Sequence, residues 1–143
     1  MNVSAATLLG AWNLVDWQIE TLDSGHISWP FGQDAQGLLL YAPSGWMSAT
    51  LSQRVRTPLS ASSVRQSDSA SRAQIAGEYL AYSGRWSLEG NQVTHVVSLS
   101  LNPVLLGTRQ QRDISFSGVD LVLSATETAG GLSRVHRLRW RRD

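Results

Sequence analysis

The stretch QVTHVVSLSL, residues 92–101, alternates between apolar and polar side chains. One row is apolar and comprises Val93, Val97, Leu99 and Leu101. The other row is polar and comprises Thr94, Ser98 and Ser100. A period of two predicts a β-strand with one buried face. His95 lies in the apolar row, so an ionisable ring is predicted on the buried face of this strand.

Similar strand signals recur along the chain and are separated by turn residues. They occupy residues 10–20, 37–51, 79–101, 108–125 and 131–142, and three of these stretches read as hairpins. Short connections between consecutive strands are typical of an up-and-down meander. We therefore predict an all-β chain of about eight strands in an antiparallel β-barrel, as a single domain over residues 1–143.

One segment does not fit the strand pattern. Residues 52–68 are polar, rich in serine and aperiodic, and a long loop of this kind is typical of a mobile cover or of disorder. We favour a cover over one mouth of the barrel. A short helix is predicted near residues 69–78, capped by Ser67 or Asp68.

Composition excludes several classes of protein and of site. The 143 residues include no cysteine and carry a net charge of +1, so thiolate chemistry and a bulk attraction to nucleic acid or membranes are not expected. The N-terminus lacks a signal-peptide pattern, and no stretch has membrane-spanning length. We expect a cytoplasmic protein without nucleic-acid or membrane partners, and leave open whether it forms a homodimer.

Five of the twelve arginines lie in residues 134–142. A basic cluster can indicate a nucleic-acid surface. Here Arg137, Arg139 and Arg141 alternate with Leu138 and Trp140, which favours the solvated face of a last strand. If that strand pairs with the first one, its arginines offset Asp16 or Glu20.

Four stretches together resemble the lipocalin-like domain family of bacterial and fungal calycin-type β-barrels. They are LLGAWNLVDWQ (8–18), ISWPFGQDAQGLLLYAPSGWMSATL (27–51), YLAYSGRWSLEGNQVTHVVSLSLNP (79–103) and GTRQQRDISFSG (107–118). Gly10-Ala11-Trp12 also resembles the G-x-W signature of lipocalins. The resemblance implies that Trp12 plugs the closed end, with Arg137 or Arg139 stacked on it, and that the barrel holds a pocket for small, largely apolar molecules.

The predicted inward rows carry a group of polar and aromatic side chains. The ligand-binding residues predicted from them are His95, Arg112, Gln110, Tyr82, Trp46, Trp86, Tyr41 and Leu99. A buried charge is costly unless it is paired. The polar members therefore either satisfy one another, together with Glu78 or Asp113, or hold the polar head group of a ligand.

Three functions are compatible with such a pocket. The first is binding of a small hydrophobic or aromatic molecule. The alternative is a cofactor-independent isomerase, cyclase or dehydratase acting on a polyketide- or terpenoid-like substrate, with His95 moving a proton and Arg112 or Tyr82 stabilising an oxyanion. The third is a scaffold role. No cofactor or metal is predicted, because His26, His95 and His136 lack metal-ligand spacing.

Overall fold

The computed structural model describes residues 3–143 and contains nine β-strands and two α-helices in this range. The strands are β1 (Gly10–Thr21), β2 (His26–Ser28), β3 (Gln36–Tyr41), β4 (Trp46–Ser52), β5 (Tyr79–Glu89), β6 (Gln92–Ser100), β7 (Arg109–Ser117), β8 (Asp120–Ala129) and β9 (Leu132–Arg141). The helices are α1 (Ala5–Leu8) and α2 (Ser69–Ala76), with 3₁₀ turns at Val64–Gln66 and Pro103–Leu105.

Eight of the strands form a closed antiparallel barrel. Each strand from β3 to β9 pairs with its neighbour in sequence, and β1 pairs with both β3 and β9. The short β2 pairs with β1 outside this ring. The predicted up-and-down barrel and its short helix are thus confirmed, whereas β2 and α1 are additions that the strand pattern did not indicate.

A bulge in β6 changes which residues face inward. Ser83 pairs with Leu99 whereas Gly84 pairs with Val97, so Ser98 is an extra residue in β6. Val97 is buried, but the Leu99 side chain is 69% exposed. The prediction that Leu99 and Leu101 continue the inward row is therefore wrong, because one inserted residue reverses the facing of all that follow.

Gly84 permits the close approach of the two strands at this bulge. A Cβ atom on Gly84 would lie 1.8 Å from the carbonyl oxygen of Val96, far inside van der Waals contact. The absence of a side chain at this position is what allows β5 and β6 to stay paired across the bulge.

Trp12 closes the end of the barrel that carries α1. Its indole is buried, and the Arg142 guanidinium lies 3.9 Å from the ring centroid. Arg142 also donates a hydrogen bond of 2.7 Å to the Leu9 carbonyl. The expectation that Arg137 or Arg139 stacks on Trp12 is wrong, because both point outward from β9. Arg142 follows the last residue of β9 and turns back over the indole.

Three arginines of β9 form ion pairs on the outside of the barrel. Arg137 contacts Glu20 at 2.7 Å, as predicted for pairing between the first and last strands. Arg139 and Arg141 both donate hydrogen bonds to the Asp120 carboxylate. The bond from Arg141 is the main reason that the pKa of Asp120 falls to about 2.

The segment from residue 53 to α2 joins β4 to β5 at the end of the barrel opposite α1. Asp68 caps α2 by accepting a 2.7 Å hydrogen bond from the Ser71 amide, as predicted. The buried Glu78 carboxylate accepts hydrogen bonds from the Thr57 amide and from Arg56. These contacts tie the segment to the start of β5; its predicted mobility stays a prediction.

Candidate functional site

A cavity of about 90 Å³ lies inside the barrel, and each of the eight barrel strands contributes at least one side chain to its wall. Most of the wall is apolar and includes five leucines. The side chains with polar atoms are Trp17, Tyr82, His95, Arg112, His136 and Trp140. A mainly apolar cavity with a few convergent polar groups is the usual composition of a small-molecule site.

His95 is held between two tyrosines. The Tyr41 hydroxyl lies 2.7 Å from Nε2, and the Tyr82 hydroxyl lies 2.7 Å from Nδ1. The His95 ring is 2% exposed, and this burial, assisted by the Arg112 guanidinium, lowers its pKa to about 3. The imidazole is therefore neutral at pH 7, with one nitrogen donating and the other accepting a hydrogen bond.

The partners of the two tyrosines decide which nitrogen of His95 carries the proton. Burial raises the pKa of both phenols, so each hydroxyl keeps its hydrogen. Tyr41 is buried, is not part of the cavity wall and contacts no acceptor other than Nε2 in residues 3–143. Its hydroxyl must therefore donate to Nε2, and the Nδ1 proton is donated to Tyr82.

This assignment leaves the hydroxyl proton of Tyr82 without an acceptor in the described protein. Tyr82 is part of the cavity wall, so its hydroxyl can donate a hydrogen bond to a molecule in the cavity. Both nitrogens of His95 are already occupied. Among the members of the Tyr41–His95–Tyr82 chain, Tyr82 is thus the group that is open to a ligand.

Arg112 is a cation in the cavity wall without an acidic partner. Its guanidinium donates to the Gln111 carbonyl at 2.9 Å and to the Gln110 side-chain oxygen at 3.3 Å. No carboxylate in residues 3–143 lies within 4.0 Å of it. The two acids considered from the sequence, Glu78 and Asp113, are engaged elsewhere, by Thr57 and Gln92 respectively.

Trp140 contributes a further unpaired donor. It is 2% exposed and forms part of the cavity wall, and its indole N–H has no hydrogen-bond partner within residues 3–143. His136, in contrast, is fully engaged. Its Nδ1 accepts a 3.3 Å bond from the Trp17 indole, and its Nε2 lies 3.0 Å from Glu127.

The predicted site residues divide into three groups. Tyr82, His95 and Arg112 form part of the wall. Three others lie behind the wall: Tyr41 bonds to His95, Gln110 bonds to Arg112, and Trp86 packs on Tyr41 with a centroid distance of 4.9 Å. Trp46 and Leu99 lie outside the barrel.

The placements of Trp46 and Leu99 in the site are therefore wrong. Trp46 is 46% exposed beneath Arg85, because the inward row of β4 begins at Met47. Leu99 is turned outward by the bulge at Ser98. The sequence-based set also omitted Trp17 and Trp140, although the alternation around Leu138 indicated the inward row of β9 that pairs with β1.

A larger open groove of about 430 Å³ adjoins the cavity at the end of the barrel opposite α1. Leu80 belongs to the walls of both the cavity and the groove. Phe31 borders the groove and packs edge-on against Trp17 of the cavity wall, with ring centroids 5.1 Å apart. Leu80 and the Phe31–Trp17 pair thus separate the cavity from the groove.

The described residues contain no group of three or more potential metal ligands. Within the same part of the chain, no helix combines the length and the apolar character needed to cross a membrane.

Comparison with known families agrees with this barrel. Residues 9–143 match the family model described as a lipocalin-like domain. The chain belongs to the lipocalin-like domain family. The family resemblance of the four sequence stretches is thereby confirmed. Neither a search of curated proteins nor a search of solved structures gave a match.

Proposed function

We propose that this lipocalin-like protein binds a small, largely apolar molecule and that Arg112 and Tyr82 hold its polar head group. The observation that carries the proposal is the guanidinium of Arg112 in the wall of a mainly apolar cavity, without a carboxylate partner in residues 3–143. Arg112 is half-buried, and a charge that is partly withdrawn from water is stabilised by an anionic partner. A ligand with a polar head group would supply that missing partner.

The volume of the cavity limits which part of the ligand it can hold. A volume of about 90 Å³ corresponds to roughly three waters and is smaller than the ~150 Å³ cavity known to bind benzene. We expect the cavity to hold the head group and a few carbons. The body of the ligand would pass Leu80 and Phe31 and lie in the outer groove.

Native mass spectrometry of freshly purified protein tests this proposal, combined with calorimetric titration of hexanoic acid at pH 7. We expect a small molecule to be released on denaturation and the titrated probe to bind. Arg112→Met should weaken binding at least about tenfold, as loss of one charged hydrogen bond predicts. Arg109→Met is the matched control, because Arg109 is on the same strand but exposed.

Binding that is equally strong in the wild type, Arg112→Met and Arg109→Met would remove Arg112 from the site. The absence of both a released molecule and a titratable probe would refute the proposed function.

The double variant His95→Phe with Arg112→Met separates a structural role of the cluster from a ligand-binding role. If the cluster serves only stability, this apolar pair should fold well and leave binding unchanged.

The hydrogen-bond chain from Tyr82 through His95 to Tyr41 favours one second function, a proton-transferring enzyme of the isomerase, cyclase or dehydratase type. Because both nitrogens of His95 are engaged, water or hydroxide from solvent would take the substrate proton. His95 would act through Tyr82, whose hydroxyl would stabilise the oxyanion left on a polyketide- or terpenoid-like substrate. Deuterium exchange at the α-carbons of cyclohexanone in D₂O tests this. Tyr82→Phe should abolish any exchange above the buffer rate, and a wild type no faster than buffer would rule the reaction out.

A further inference from the structure

We infer that the head group is an oxyanion, a carboxylate or an enolate, which accepts hydrogen bonds from Arg112 and Tyr82. This inference rests on the proposed function and names the chemical class of the ligand. It depends on an inventory of the donors and acceptors that the cavity wall presents.

The polar side chains of the described wall offer mainly donors, and their one remaining acceptor is the second lone pair of the Tyr82 hydroxyl. His95 and His136 have both ring nitrogens engaged, and Trp17 donates to His136. The donors that remain for a ligand are the guanidinium of Arg112 and the hydroxyl proton of Tyr82. An amide or alcohol would bring donors for which only this lone pair is left, whereas a carboxylate or enolate brings acceptors alone and so matches the donors of the wall.

The charge of Arg112 gives a second, independent reason to expect an anionic head group. No aspartate or glutamate is part of the described cavity wall, so the charge of Arg112 faces the cavity uncompensated. Its positive charge is the second cause, after burial, of the lowered pKa of His95. An anion in the cavity would offset this charge, and charge-assisted hydrogen bonds are about twice as strong as neutral ones.

Tyr41 is a positioning residue in this arrangement. Its hydroxyl donates to Nε2 of His95 and thereby places the imidazole proton on Nδ1, facing Tyr82. With Tyr41→Phe, Nε2 loses its donor, and Nδ1 becomes free to accept the proton of Tyr82. Tyr82 would then turn its hydrogen toward His95 and present a lone pair to the ligand.

A matched pair of probes, hexanoate and hexanamide, tests the inference by calorimetric titration at pH 7. The two have the same chain and nearly the same head-group shape but differ in charge and in the presence of N–H donors. We expect hexanoate to bind the wild type at least about tenfold more tightly than hexanamide. Arg112→Met should abolish this preference, and Arg109→Met should leave it unchanged.

Tyr82→Phe and Tyr41→Phe should each reduce the preference for hexanoate several-fold while affecting hexanamide little. An equal loss for both probes in Tyr41→Phe would show a merely structural role and overturn its positioning function.

Nitrogen-15 NMR of the unliganded wild type tests the position of the His95 proton directly, without a variant. A proton on Nδ1 of His95 supports the inference, and a proton on Nε2 overturns the orientation of Tyr82.

The probes also separate this inference from the proposed function. If hexanamide binds as tightly as hexanoate, or more tightly, and Arg112→Met weakens both, the oxyanion inference is wrong while the small-molecule site stands. If neither probe binds and no small molecule co-purifies, the proposed function itself fails, and the inference fails with it.

Discussion

Replacing His95 with glutamine should remove a specific pH dependence of stability. Burial lowers the pKa of His95 from 6.5 to about 3 in the folded protein. Between these two values the unfolded chain binds more protons than the folded one. The contribution of the neutral ring is therefore fully present above pH 6.5 and is lost as the pH falls toward 3.

The size of this effect follows from the shift in pKa. Each pH unit below 6.5 costs the wild type about 1.4 kcal/mol of unfolding free energy. The loss amounts to about 2 kcal/mol at pH 5. Glutamine does not titrate and keeps a donor and an acceptor for the two tyrosines, so His95→Gln should lack this loss.

Urea denaturation followed by tryptophan fluorescence measures the difference. Between pH 7.5 and pH 5, the unfolding free energy of the wild type should fall by about 2 kcal/mol more than that of His95→Gln. The other histidines and the carboxylates are common to both proteins, so their contributions cancel in the comparison. A difference that stays constant across this range would refute the reasoning that His95 is held neutral by burial.

Three further predictions concern the fold. Gly84→Ala should lower the unfolding free energy by at least about 2 kcal/mol, because its Cβ would meet a carbonyl oxygen at 1.8 Å. Gly77→Ala has no such contact and should stay within about 0.5 kcal/mol by the same urea titration. Arg142→Gln should cost about 0.5–1 kcal/mol through loss of its indole contact, and an unchanged thermal midpoint would contradict its closing role. Glu78→Gln should speed tryptic cleavage in residues 53–68, which its carboxylate ties to β5; equal cleavage rates would show that the segment is held by other contacts.

The barrel could be predicted from the sequence because each strand carries a period of two and most connections are short turns. Inward facing was correctly inferred for His95, Tyr82 and Arg112, since each lies in the apolar row of its own strand. These inferences needed information from one strand at a time, which is what a sequence pattern provides.

The errors arose where the direction in which a side chain points depends on more than one strand. Leu99 was misplaced because a bulge is a property of the β5–β6 pair, and one extra residue at Ser98 reverses the row. The cation over Trp12 comes from Arg142, beyond the end of β9, where no alternation applies. The unpaired indole N–H of Trp140 could not be foreseen, because whether a donor finds an acceptor depends on all the strands that surround it.

Methyl NMR of leucine-labelled protein during titration with hexanoate is the most direct test that the barrel interior is the binding site. The methyl groups of five leucines in the cavity wall should shift: Leu39, Leu51, Leu80, Leu123 and Leu138. The exposed Leu99 and Leu106 provide an internal control and should not move. Shifts confined to these exposed leucines, or no shifts at concentrations that saturate binding, would contradict a ligand held inside the barrel beside Arg112.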